Sequence, residues 1–295
     1  MFGGRVFGPC ARQLGYEPHV DLSGTFIEPL TPHHMQRALL EVLLMAVPAG
    51  LLGTWVVVRR LAFASHAVGH ATFPALVIAA LAGWSMLGTT VIAALLIAAI
   101  LAALQRRREL QSGAGVAVVL ATSLALGAVL VSDIHDPGVS ANGLLFGSIF
   151  GLTTQDLVAS AVVAVLAVVA TLIGFRPFAA AAFDGTTRDQ RVADVVQLML
   201  IAVAVGVSAR VIGSLLVAAM YLIPAATARQ FTSRLSSLMV WGCIVAAVDG
   251  VAGLWLAATA DTPPGASIAT CAAAIFVMVL AGRTLRVRFL RTIPT

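Results

Sequence analysis

The sequence predicts an all-α polytopic transmembrane bundle of about eight to nine spans, and three features carry that prediction. Of 295 residues, 60% are apolar and only 11% are charged. Roughly a quarter of an average soluble domain is charged, so this chain lacks the polar shell that water requires. Its mean hydropathy of +0.99 points the same way. Finally, apolar runs recur along the chain, each near the 20 or so residues that cross about 30 Å of hydrocarbon at 1.5 Å per residue.

Nine candidate spans follow in order, over 35–58, 66–83, 86–104, 114–132, 156–175, 192–209, 211–228, 236–259 and 266–283. The stretch 142–151, with Asn142, Gly143, Phe146 and Gly151, is too short to cross and reads as a re-entrant or interfacial piece, which must be buried in protein. These runs divide the chain into an N-terminal extension, 1–34, a membrane domain, 35–285, and a short tail, 286–295. The extension holds Arg5, Arg12, Glu17 and Asp21 without a continuous apolar stretch, so it does not read as a cleavable signal. Cys10, Cys243 and Cys271 are too far apart for a disulfide framework or a four-thiolate zinc site.

Orientation follows from arginine, because positively charged loops resist translocation. All eighteen basic residues are arginines, and fourteen fall after alternate spans: Arg59 and Arg60, Arg106 to Arg108, Arg176, Arg188 and Arg191, Arg229 and Arg234, and four from Arg283 onward. The opposite loops hold Asp133, Asp136 and Asp261. The expected topology therefore has the N-terminus outside and the C-terminus in the cytoplasm. Arginines spread between apolar runs are topological, which excludes a nucleic-acid surface.

Ionisable residues inside a span are expensive and functional by default. His66 and His70 stand four residues apart, on one face of the predicted helix. Neutral imidazole suits zinc and other late first-row ions, and the small Ala67, Gly69 and Ala71 leave room beside the pair. The alternative is that each ring bonds a neighbouring carbonyl or hydroxyl, Ser65 or Thr72 for example, and locks packing. Pro48, Pro74, Pro224 and the glycines at 50, 53, 206 and 213 mark kinks or close approaches that serve either packing or a path. Glu41 and Asp249 also lie within spans, lining a path or bonding a neighbouring helix. Asp133, His135 and Asp136 form a D-x-H-D cluster outside, read as a metal-receiving patch or as a turn before Pro137.

The segment RRLAFASHAVGHATFPA, 59–75, resembles RRMAFFGDALSHASLPG, the opening of the second helix in the zinc and manganese family of ATP-binding-cassette permeases. His70, Ala71 and Pro74 match that pattern, while His66 replaces its aspartate and Ala75 its glycine. GLLFGSIFGLTTQDL, VIGSLLVAAMYLIPAATARQF and DTPPGAS resemble further family segments in the same order, so the likeness runs from Met35 to Arg283.

The resemblance implies a helical permease of a prokaryotic cell membrane that imports a divalent metal, zinc or manganese and possibly iron, with His70 and His66 on the ion's path. It implies no resident cofactor, a homodimer in lipid, an extracytoplasmic metal-binding protein, and a cytoplasmic subunit that hydrolyses ATP. No P-loop exists here, since the chain has no lysine, so the chain is expected to be no enzyme itself. Phe183, Asp184 and Gly185 resemble the family's cytoplasmic loop and are the expected dock for the ATPase, or else a solvated connection. A chelate permease for siderophore or cobalamin fits the short loops and histidine pair less well. An ion-coupled secondary carrier would need no ATPase, and an intramembrane enzyme lacks its HExxH or paired aspartates.

Overall fold

The computed structural model describes residues 33–105, 114–132, 145, 147, 152–183, 188–214 and 216–291. Nine helices organise the described residues: α1 (His33–Val58), α2 (Ala62–Ala82), α3 (Met86–Gln105), α4 (Ala114–Ser132), α5 (Thr154–Phe183), α6 (Arg188–Ile212), α7 (Val217–Phe231), α8 (Leu235–Ala260) and α9 (Pro264–Arg291). In lipid no water relieves an unpaired N–H or C=O, so each apolar run closes its own hydrogen bonds as a helix. Eight of these helices are long and apolar enough to span.

The seventh expected span, 211–228, is corrected. The sixth helix continues through Ile212, the chain reverses before Val217, and α7 holds only 15 residues. At 1.5 Å per residue α7 covers about 22 Å, short of the hydrocarbon thickness. Gly213 makes the reversal with φ +99°, a conformation that costs glycine little. Gly147, from the short stretch expected to re-enter, meets this turn: a Cβ there would stand 2.5 Å from the Ile212 carbonyl carbon and 2.7 Å from the Gly213 nitrogen.

The helices alternate in direction. Gly250 lies against Val42 and Gly242 against Gly50, so α8 runs antiparallel to α1 in a seam of small residues. Arg59, at the end of α1, pairs with Asp194 near the start of α6 and donates to Gln197 Oε1 at 2.5 Å. Arg283 on α9 donates to Gln230 at the end of α7 at 2.7 Å. Arginine-bearing ends therefore gather on one face. Arg210, an exception to the charge rule, lies on the other face, where it pairs with Asp156 at 2.7 Å. The centre of the bundle is α2, buried from Ala64 through Val77 apart from the half-buried His66, and packed against α3, α4, α6 and α7. In contrast, α3, α4, α5 and α9 turn most of their surface outward.

Candidate functional site

The site is built on α2. A three-residue connection joins α1 to α2, with Arg60 in the left-handed region at φ 57° and the Leu61 N–H bonded back to Val56 at 2.8 Å. His66 and His70 then follow about 6 and 12 Å into the helix by its rise. Their rings meet edge to face, centroids 4.3 Å apart at 88°, with the two Nε2 atoms 2.9 Å apart. One Nε2 must donate while the other accepts, so one of the two nitrogens presents a lone pair into the shared space. His70 is buried, His66 is half-buried, and the His70 Nδ1 has no partner.

The expected alternative partners are already engaged. Ser65 donates its hydroxyl to the Ala62 carbonyl at 2.9 Å, and Thr72 to the Gly69 carbonyl at 2.6 Å. Each hydroxyl serves its own helix, and the imidazoles bond each other. Pro74, buried one turn beyond His70, has no N–H for the His70 carbonyl, so the hydrogen-bond ladder of α2 opens beside the pair.

Gly69 presses the helix against the reversal, where a Cβ would lie 2.9 Å from Val217 Cγ1 and 3.2 Å from the Ser214 carbonyl oxygen. On another side Phe73 beds onto Gly127 of α4. Gly206 of α6 allows a similar approach, its would-be Cβ 2.9 Å from Ala94 of α3. These glycines fix α2 among its neighbours by close packing.

Other expected residues fall elsewhere. Asp249 on α8 lines a cleft with Leu216, Met220 and Pro224, whereas Gly69 meets Ser214 and Val217, so the reversal and α7 lie between α2 and that cleft. Glu41 is buried and accepts a hydrogen bond from Ser160 of α5. Phe183 is the last residue of α5, and Asp184 and Gly185 lie outside the described residues, as do Asp133, His135 and Asp136. Sequence reading had no signal for the Ser208–Tyr221 hydroxyl pair, 2.9 Å across the reversal, or for the partners of Arg59 and Arg210. Among the described residues no three His, Cys, Asp or Glu side chains converge to hold a metal ion. The histidine pair supplies two ligands, fewer than the four that a closed structural zinc site needs.

The family model described as "ABC 3 transport family" matches residues 32–283. The chain is 24% identical over 263 residues to the manganese transport system membrane protein MntC of Halalkalibacterium halodurans, covering 88% of this chain and 90% of that protein. It is 28% identical over 272 residues to a Haemophilus influenzae membrane protein named for an iron transport system, covering 89% and 98%. Among solved structures it is similar to PsaBC from Streptococcus pneumoniae in complex with Fab, with TM-score 0.75 and 24% identity over 86% of this chain and 94% of that one. That likeness shows the fold.

Proposed function

We propose, from the premise that this chain belongs to the ABC 3 transport family, that it is the membrane permease of an ATP-driven importer carrying a divalent first-row metal ion, with His66 and His70 as transit ligands. The observation that carries this reading is the 2.9 Å approach of two Nε2 atoms on the most enclosed helix of the bundle. Two imidazoles on one tetrahedral ion, with metal–nitrogen bonds near 2.0–2.1 Å, stand about 3.3 Å apart. A parting of a few tenths of an ångström would exchange the shared proton for the ion.

Two protein ligands suit passage better than storage, because an ion held by four would leave slowly. Neutral nitrogen donors also favour zinc over manganese by the general order of divalent affinities. The manganese-named relatives are about a quarter identical to this chain. Where the family pattern carries aspartate, His66 offers a softer, uncharged ligand, and this supports zinc as the cargo here. Energy for transport would come from a separate ATPase docked on the arginine-rich face, with Phe183, Asp184 and Gly185 as the contact, and metal would reach the outer face from a binding protein. A pair of these chains would frame the path.

The test is uptake of radioactive zinc and manganese by cells carrying His70→Ala or the double His66→Ala, His70→Ala variant at normal membrane abundance. Uptake should fall to background. Unimpaired uptake of both metals by the double variant would refute the assignment.

A further inference from the structure

Asp249 stands apart from the histidine pair and calls for its own explanation. It lies near the middle of α8, 2% exposed, and neither carboxyl oxygen has a hydrogen-bond partner. Its surroundings are a cleft between α6, α7 and α9 lined by Ile212, Leu216, Met220, Pro224, Ile268 and Ala272, with no space for a water molecule. No arginine or histidine lines this cleft. Cys271 on α9 interacts electrostatically with Asp249 and brings no positive charge. Glu41, the buried carboxyl of α1, instead takes the Ser160 hydroxyl on α5.

A bare carboxylate in such a place, without donor, counter-ion or water, is among the costliest groups a protein can bury. Hard cations bind through several oxygens, and a closed cleft without room for water gives them no shell. A proton needs no such space. On α7, Pro224 has no N–H to give to the Met220 carbonyl four residues earlier, so that carbonyl lacks its helical donor. Met220 and Pro224 both line the cleft.

We propose that Asp249 is a proton-binding site, its neutral carboxyl bridging α8 to the proline-opened half-helix α7. It is independent of the metal-ligand reading of His66 and His70, from which the reversal separates it. Losing that proton would place a charge in the seam between α7, α8 and α9 and drive it open, so the site links this seam to proton supply.

Infrared spectroscopy of the full-length chain in lipid nanodiscs tests this. At neutral pH the wild type should show the carbonyl stretch of a protonated carboxyl in apolar surroundings, shifted in heavy water. The band should vanish in Asp249→Asn and survive in Glu41→Gln. Should Asp249→Asn misfold, carbon-13 labelling of aspartate in the unsubstituted chain should shift the same band. Asp156 and Asp194 are paired with Arg210 and Arg59, and Asp261 is exposed, so these three are not its source. A wild-type spectrum without the band, or a band unmoved by aspartate labelling, overturns the proposal. So does its loss on adding zinc or manganese at constant pH, which would make Asp249 a metal ligand.

Discussion

Replacing His66 with alanine removes the one partner of a buried imidazole. His70 is 4% exposed and its Nδ1 already lacks a partner, so the variant leaves both ring nitrogens of a buried side chain unsatisfied. An orphaned buried polar group costs about 1–3 kcal/mol. The mirror change, His70→Ala, strands only the half-buried His66 and should cost less on this account. Zinc adds a second readout, because a ligand at a hundred times its Kd stabilises the folded state by about 2.7 kcal/mol. Thermal unfolding in lipid nanodiscs, followed by tryptophan fluorescence with and without zinc, measures both effects. Wild type should unfold at the highest temperature and rise further with zinc, while both single variants lose most of that rise and His66→Ala unfolds first. Equal stabilisation by zinc of the wild type and the double variant would refute the reasoning, as would a reversed order of the single variants.

His66→Asp restores a charged oxygen ligand opposite His70 and should move the uptake preference from zinc toward manganese, measured by competition between the two ions. An unchanged preference would show that position 66 does not set selectivity. Two glycines in α8 and α9 make a matched pair for packing. At Gly253 a new Cβ would stand 2.6 Å from the Ile268 nitrogen, so Gly253→Ala should cost about 1–3 kcal/mol by forcing the helices apart. Gly282 has nothing within 4 Å, and Gly282→Ala should gain about 0.5–1 kcal/mol from helix propensity. Denaturation of the two variants under one condition checks the sign of each.

What the sequence made legible is what a single helix decides by itself. The spans at α1, α3, α4 and α8 follow from apolar length alone, since lipid leaves the backbone no other way to bond. The histidine contact is equally local, because a spacing of four residues brings the rings together on any helix, whatever its neighbours do. The reversal before Val217 was not legible, for the opposite reason. Apolar residues continue from α6 into α7 without a change of composition, so hydropathy reads one more span. Only Gly213 marks the break, and a glycine in a membrane helix more often signals close packing. The pairs Arg59–Asp194, Arg210–Asp156 and Ser160–Glu41 join residues that no local pattern connects, and Asp249 looks the same in sequence whether it faces an arginine or an apolar seam. Yet one device recurs. Pro74 follows His70 by four residues and Pro224 follows Met220 by four, so α2 beside the imidazoles and α7 beside Asp249 each lack one bond of the helical ladder. Helices bend most readily where that bond is missing. Each of these two helices is thus most easily bent beside a buried ionisable group.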